Sequence, residues 1–495
     1  MPAPAAWLIA LLCGVACSLA FNPVTLPFAM VVGVAGLVFV ARRLADARKR
    51  VVLATGAIFG LAFMGPLIWW MNAVSHGAYV ALVLAETAFF AVVMLALRAA
   101  CRLPWWPVWG AAVWVLGETA RGSIPFSGFP WGRLAHTAID TPFAPYARLL
   151  GMPGTTAVLF VAAAMLVLVV TASTWRGRVV PVAVTAVLAG IGALLPTGVA
   201  SPSGYRQVAL VQGDVPGVFL TWQRGEIFDL HVKETRRLIA RVQQGEEPKP
   251  DAVLWPENAT DIDPFHDERV RTGIESLSAD LEAPILVGGI FDGPTVDTAY
   301  NAGIVWGSAG PGERYVKRKV VPYGEYVPFR GALGGIVPRF DRDIPRDMLS
   351  GDKTGAIRLG DFTVGDTICW DIAYDGIVRE TVQDGAQMLV VQTSNASFTG
   401  TSQPTQQWNI SRLRAIETGR WVIVPSTNGI SGIADASGRP VARAPFHEPA
   451  NLSADVPLAG GSTPALRVGG WLELLLGLLG LWGWWRGARR PRGGQ

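Results

Sequence analysis

Charge is what this sequence has least of. Asp, Glu, Lys and Arg make up 16% of its 495 residues, against about 25% in an ordinary soluble domain. That shortfall, with 51% hydrophobic residues and a mean hydropathy of +0.34, excludes a wholly soluble protein and predicts a membrane protein with a soluble part. The length allows two or three domains. Cysteine is scarce as well. Cys13, Cys17 and Cys101 lie in or beside apolar segments near the N-terminus, and Cys369 stands alone in the polar part, which therefore has no internal disulfide. There is no CxxC pair, and His76, His136, His231, His266 and His447 fall at no metal-ligand spacing, so neither a metal nor another cofactor is expected. The net charge of +4 is small and no basic block is interleaved with aromatics, which argues against nucleic acid as a partner.

What the chain does have is apolar runs. Eight are near the length needed to cross a bilayer: Trp7 to Phe21, Leu26 to Val40, Val51 to Trp70, Ala78 to Leu97, Trp105 to Ala120, Thr155 to Ala172, Val179 to Leu195 and Trp471 to Trp485. The first lacks a basic leader and is followed at once by another apolar stretch, so it reads as a retained helix, not a cleaved signal. Basic residues cluster at Arg42 to Arg50, at Arg98 and Arg102, at Arg176 and Arg178, and at Arg486 to Arg492. With the N-terminus inside, eight spans put every cluster on the cytoplasmic side and the long polar segment outside. The expected domains are a seven-span membrane domain over 1–198, an outward (periplasmic) catalytic domain over 199–466, and a final span with a basic tail over 467–495.

The loop from Arg121 to Leu150 is apolar and aromatic yet broken by Pro and Gly, as in Gly128-Phe129-Pro130-Trp131. It is expected at the headgroup level, as a lipid-headgroup or entrance site or simply as structure. Glu118 and Arg121, at i and i+3, are placed to pair with each other. Glu86, inside the fourth span, must face other helices or a wet cavity.

Between Tyr205 and Val456 the pattern changes to strands alternating with helices. Strand-like runs include Gln207 to Gln212, Ala252 to Trp255, Ala302 to Trp306, Tyr315 to Val321, Phe362 to Cys369 and Met388 to Thr393. Helix-like stretches include Gly225 to Gln243, His266 to Leu281, Ala373 to Asp384 and Gln406 to Thr418. This predicts a layered α/β domain covered on its faces. Asp341 to Asp352 reads as an exposed loop. The apolar stretches Val327-Pro328-Phe329 and Leu333 to Pro338 read as a lipid-facing lid.

Three reactive groups fall at strand ends: Glu257 in Leu254-Trp255-Pro256-Glu257-Asn258, Lys317 in Arg314-Tyr315-Val316-Lys317-Arg318-Lys319, and Cys369. A carboxylate can act as base toward a thiol or an amine. A fixed lysine cation can lower a thiol pKa and stabilise an oxyanion, and a soft thiolate suits acyl transfer in two steps through a thioester.

The order Glu at WPE, Lys in Y-x-K, then Cys after a strand resembles the carbon–nitrogen hydrolase (nitrilase) superfamily. The stretch from Lys317 through Val321-Pro322-Tyr323-Gly324-Glu325-Tyr326-Val327-Pro328, on a chain with eight apolar spans, resembles the apolipoprotein N-acyltransferase family, and the likeness covers essentially the whole chain. The resemblance implies an α-β-β-α sandwich beside a membrane helical bundle. It implies Glu257 as general base, Lys317 as oxyanion-stabilising cation and Cys369 as nucleophile. Glu325, Trp222, Tyr326, Trp370 and Asp371 would be supporting or substrate-binding residues. Trp370-Asp371 stands where the family often has Tyr-Glu, and Lys319 stands where it often has His, which keeps Lys319 as an alternative to Lys317. The stretch from Arg412 to Arg420 would buttress the site through ion pairs. The implied reaction is ping-pong N-acylation of a diacylglyceryl apolipoprotein with a membrane phospholipid as acyl donor, by a monomer in the bacterial inner membrane. Two alternatives stay open: a membrane-tethered amidase that uses water as acceptor, and a transporter or lipid-binding scaffold.

Overall fold

The apolar runs fold as helices. In the computed structural model, which describes residues 1–215, 222–333, 342 and 344–490, they form α1 (Ala3–Leu19), α2 (Pro27–Arg43), α3 (Lys49–Leu67), α4 (His76–Ala100), α5 (Trp106–Arg121), α6 (Tyr146–Thr171), α7 (Trp175–Leu194) and a C-terminal helix, α13 (Pro464–Ala488). These helices belong to one unit, Met1–Pro196 with Pro464–Gln495; Thr197–Thr463 form a second. Every apolar run read as a span coincides with one of the eight helices. Among the described residues five of them, α3, α4, α6, α7 and α13, are long and apolar enough to cross a membrane. Small residues let the helices approach closely: a Cβ at Gly56 of α3 would overlap the Phe90 carbonyl of α4.

Buried charge in this unit corrects one expectation. Glu118 and Arg121 do not pair with each other. Arg121 reaches Glu86 on α4 at 3.1 Å and donates to the Phe129 carbonyl at 3.1 Å. Glu118 accepts from Trp114 Nε1 at 2.9 Å, the Leu134 amide at 2.7 Å and Thr156 Oγ1 at 2.9 Å, and pairs with Arg133 at 3.4 Å. In a dry interior each charge needs several donors or acceptors, and one neighbour a helical turn away cannot supply them. The partners come instead from α4, from α6 and from the segment after α5, whose residues 129–139 are packed inward while 123–126 are exposed. Phe129 and Trp131 are 3% and 1% exposed, and Trp70 meets Trp131 edge-on with ring centroids 5.7 Å apart.

The second unit is built on two sheets. The first runs β13 (Ala450–Ala459), β1 (Pro202–Gln212), β2 (Ala252–Leu254), β3 (Ile285–Asp292), β4 (Thr298–Gly307), β5 (Gly310–Val316), with β6 (Asp347–Met348) beside β4. The second runs β12 (Pro440–Arg443), β11 (Gly432–Ala434), β10 (Val422–Val424), β9 (Met388–Gln392), β8 (Phe362–Ile368), β7 (Ala356–Leu359). Alternation along each strand decides which face meets what. Val208 and Leu210 of β1, Leu254 of β2 and Leu286 of β3 pack between the sheets with Ile357, Val364, Ile368 and Val390. Their neighbours Ala209, Val211, Val253 and Val287 face outward, where Phe228 and Leu238 of α8 (Glu226–Gln243) and Val270 and Ile274 of α9 (Glu268–Leu281) cover them. Both faces of the strands are buried, which is why they read as continuous apolar runs. On the far side α11 (Asp375–Gln383) lies on β8 and α12 (Gln403–Thr418) on β10. The result is an α-β-β-α sandwich.

Within the stretch read as an exposed loop, Asp347 pairs with Arg330 at 2.6 Å and opens β6, while α10 (Arg330–Leu333) is a single turn. Val327 is buried and Phe329 is 71% exposed. The remainder of the lid, residues 334–338, lies outside the described residues.

Candidate active site

The sandwich brings the three strand-end groups to one place from two different sheets. β2 ends at Leu254, and Trp255-Pro256 carry the chain to Glu257. Gly288 of β3 permits this turn, because a Cβ there would run into the Pro256 carbonyl and Glu257 Cα. β5 ends at Val316, so Lys317 is the first residue past the strand, not a member of it as expected. Its amide still donates to the Asn301 carbonyl of β4, at 2.9 Å, which fixes the direction of the side chain. Cys369 is the first residue after β8. It takes a left-handed backbone, φ +52°, and opens the 3-10 turn Cys369–Ala373. A non-glycine residue holds that conformation only when its surroundings fix it.

The surroundings do so. The Asp371 carboxylate accepts from the Tyr315 hydroxyl at 2.6 Å, the Lys319 amide at 2.9 Å and the Ile368 amide at 3.4 Å. From α12, Arg414 donates to the Ile372 carbonyl at 2.8 Å and the Ala373 carbonyl at 2.9 Å, and is held by Asp375 at 2.7 Å and Glu417 at 2.5 Å. Asp371 and Arg414 thus brace the cysteine turn from behind.

Lys317 is the electrostatic centre. It is 1% exposed, and its Nζ lies 2.8 Å from Glu325 and 3.4 Å from Glu257. Burial opposes its charge, but the Glu325 and Glu257 carboxylates outweigh that and hold its pKa well above the ordinary lysine value, so it is a cation at neutral pH. Asn301 donates to both acids, at 2.7 Å to Glu257 and 3.1 Å to Glu325. The Ser394 amide donates to the other Glu257 oxygen at 2.9 Å, and the Val321 amide to the other Glu325 oxygen at 2.7 Å. Lys319 lies apart, its ammonium 5.0 Å above the Tyr374 ring.

Cys369 is half-buried. Burial first and the Glu257 carboxylate second push its thiol up to about 12, against the opposing pull of Lys317 and the Thr393 hydroxyl. The lysine therefore does not yield the lowered thiol pKa expected of it: two acids beside it return most of its field. The resting sulfur keeps its proton, and attack requires a base.

Beside Glu257 the sandwich opens into a cavity of about 610 Å³ lined by Trp222, Ile227, Asn258, Thr260, Ser394 and Arg346 among others. Trp222 packs there against Val215, Ile227 and Ala396; most of the turn before it, residues 216–221, lies outside the described residues. Trp370, half-buried, packs on Tyr374 with centroids 5.9 Å apart, and the carbonyl of Tyr326 accepts from the Tyr323 amide at 2.7 Å. At the cavity rim Asp263, His266 and Asp292 come within metal-binding reach of one another. Their carboxylates are already engaged, by the Phe265 amide at 2.8 Å, by His266 at 3.2 Å and by Arg346 at 2.6 Å.

Sequence reasoning passed over Asn301 and the Ser394 amide. A buried asparagine inside the apolar run Ala299-Tyr300-Asn301-Ala302 was the available signal for the first; a backbone donor leaves none.

Residues 13–165 match the Apolipoprotein N-acyltransferase N-terminal domain, and residues 207–462 match Carbon-nitrogen hydrolase. The Apolipoprotein N-acyltransferase of Mycolicibacterium smegmatis is 34% identical over 494 residues, covering 94% of this chain and 82% of its own. Those of Photobacterium profundum, at 28% over 371 residues, with 73% of this chain and 69% of its own covered, and of Pasteurella multocida, at 26% over 490 residues, with 92% and 91% covered, are also similar.

Proposed function

Since the chain belongs to the apolipoprotein N-acyltransferase family, we propose that it N-acylates the S-diacylglyceryl-cysteine of apolipoproteins in two half-reactions through a Cys369 thioester, with a membrane phospholipid as donor and the α/β unit on the periplasmic side. The observation that supports this best is the shared charge of Lys317. It is a permanent buried cation held between Glu257 and Glu325 and within electrostatic reach of Cys369.

In the first half-reaction Glu257 takes the thiol proton as the sulfur attacks the phospholipid ester carbon. Lys317 neutralises the oxyanion that develops, an interaction strongest in the transition state. The C–O bond breaks, and the lysophospholipid oxygen leaves with the proton from Glu257. In the second, the free amine of the diacylglyceryl-cysteine attacks the thioester carbon. Glu257 accepts the amine proton, the C–S bond breaks, and the sulfur regains its proton. The thiol pKa of about 12 makes base assistance necessary in the first step, and Asn301 and the Ser394 amide keep Glu257 pointed for it. Glu325 serves as the second anchor of Lys317, Asp371 as the anchor of the cysteine turn, and Trp222, Trp370 and Tyr326 as aromatic walls for the lipid groups. No cofactor enters this scheme.

The test is a trap. Full-length enzyme in phospholipid nanodiscs, given a phospholipid with a labelled acyl chain and no acceptor, should accumulate one hydroxylamine-labile label on Cys369. Cys369→Ala should show none and lose about 10⁴-fold or more of transfer activity. Failure of the wild type to acquire label under these conditions sinks the proposal. Release of the label as free fatty acid when a lipopeptide amine is supplied would point to an amidase.

A further inference from the structure

Beneath the reacting groups lies a carboxyl that the reaction scheme does not use. Asp366 sits in β8, three residues before Cys369, and is 0% exposed. Neither of its carboxyl oxygens has a hydrogen-bond partner among the described residues. On the neighbouring strand of the same sheet, the side-chain oxygen of Gln392, at the end of β9 and also 0% exposed, is equally without one. The two oxygens converge on one spot above Gly303 of β4, where a Cβ would collide with both. The Gln392 nitrogen is committed: it donates to the Trp255 carbonyl at 2.6 Å, two residues before Glu257. So the Gln392 oxygen faces Asp366 and cannot be exchanged for its amide nitrogen without losing that bond.

Two buried acceptors aimed at one point repel each other unless a proton lies between them. An ionised carboxylate can only accept, whereas a protonated one donates through its O–H. Burying the ionised form with no donor costs far more than burying the acid. The titratable groups that face Asp366 all oppose ionisation or are neutral. They are Asp371 behind the cysteine turn, Glu257 from the β2 end and the Tyr315 phenol of β5. Of its surroundings only the Thr367 amide favours the charged form. Burial first, then those acids, hold its pKa well above the carboxylate range.

We propose that Asp366 is a positioning residue, kept as the neutral acid, whose O–H donates to the Gln392 oxygen on the neighbouring strand and so locks Gln392 onto the Trp255 carbonyl of the other sheet, under the site. The lock matters because the sheets carry different parts of the machinery. Glu257 and Lys317 come from the β2 and β5 ends of one sheet, Cys369 from the β8 end of the other. The chain Asp366–Gln392–Trp255 carbonyl crosses from the cysteine strand to the glutamate turn within a few residues of each. Gly303 is the position at which the sheets can approach closely enough to form it.

The inference rests on Glu257 and Cys369 reacting as proposed above, but its protonation claim is read without turnover. In the full-length wild type near pH 8, infrared difference against Asp366→Asn should reveal one protonated carboxyl carbonyl band that shifts in D2O. Its absence overturns the proposal even if Cys369 acylates normally. In kinetics, Asp366→Asn keeps a donor opposite Gln392 and should retain kcat within about threefold, with an unchanged pH profile. Asp366→Val leaves the Gln392 oxygen orphaned and should lower kcat about 10–100-fold through misplacement of sulfur against base, with the phospholipid KM changed less than about twofold. A large kcat loss in Asp366→Asn, or a shifted acid limb in its pH profile, would mean that the residue works as an anion. Should the Val variant not fold, the infrared band and the Asn variant still decide the matter.

Discussion

In the helical unit Glu86 is matched by Arg121 and Glu118 by Arg133, a base for each buried acid. In the α/β unit one lysine is shared by Glu257 and Glu325, Asp371 lies within electrostatic reach of it, and Asp366 lies within reach of Glu257 and Asp371. Both arrangements are dry and well supplied with hydrogen bonds, yet their chemistry differs. A matched pair serves to hold segments together, as Arg121 does when it grips both Glu86 and the Phe129 carbonyl. Burial first, and then the excess of acid, raises the proton affinity of the groups around this cation. Lys317 stays charged, the Cys369 thiol is pushed up to about 12, and the Asp366 carboxyl is held well above the carboxylate range. The unmatched cluster is where protons can be stored and moved.

This contrast can be broken experimentally. Lys317→Met removes the cation that the two glutamates share and should lower acyl-enzyme formation about 10³-fold. Lys319→Met, whose ammonium merely covers the Tyr374 ring, should stay within about threefold. Single-turnover labelling of Cys369 measures both, and reversal of the order would move the catalytic cation to Lys319. Next in size is Arg121→Leu, which orphans Glu86 in the helical unit and should destabilise the protein by about 3–5 kcal/mol. The protein that remains folded should keep its kcat, so thermal unfolding in detergent read beside activity separates a holding pair from a reacting one. The smallest effect concerns pH. A thiol raised above its ordinary 9.0 is neutral over the whole physiological range. The iodoacetamide alkylation rate of Cys369 should therefore keep climbing with pH past that ordinary value. Levelling off near neutrality would reveal a preformed thiolate and erase the contrast.

Much of the α/β unit was legible because its strands are buried on both faces and its reactive residues sit in short motifs. Glu257 after Trp255-Pro256 and Lys317 two residues after Tyr315 are each weak signals alone and stand out through their resemblance to the carbon–nitrogen hydrolase pattern. What escaped was whatever depends on residues far apart in the chain. Asn301 acts on Glu257 and Glu325 through a fold that brings β4 under both, and nothing in its own neighbourhood says so. The edge strands β7 and β12, and β11 beside the latter, are three or four residues long, too short for alternation to stand out from a loop. The burial of Phe129 and Trp131 in the loop after α5 was not legible, because tryptophan, proline and glycine suit a membrane interface and an irregular buried segment equally well. Local rules also yielded to tertiary ones: an i, i+3 spacing suggested Glu118 with Arg121, but burial demanded more partners than one helical turn offers.

The pairing of β1 with β13 carries a further consequence. It sets Pro202 directly beside Ala459, so the entry and the exit of the α/β unit are neighbours on one edge of a sheet. In polymer terms the unit is a loop of some 260 residues closed by its own first and last strands. Closing so long a loop costs little more than closing one half its length, and here a backbone ladder of nine paired residues holds it shut. A large catalytic module can thus be carried between two successive apolar helices of a membrane protein as a self-sealing insertion, which permits its interior to change in size while the points where the chain leaves and returns stay together.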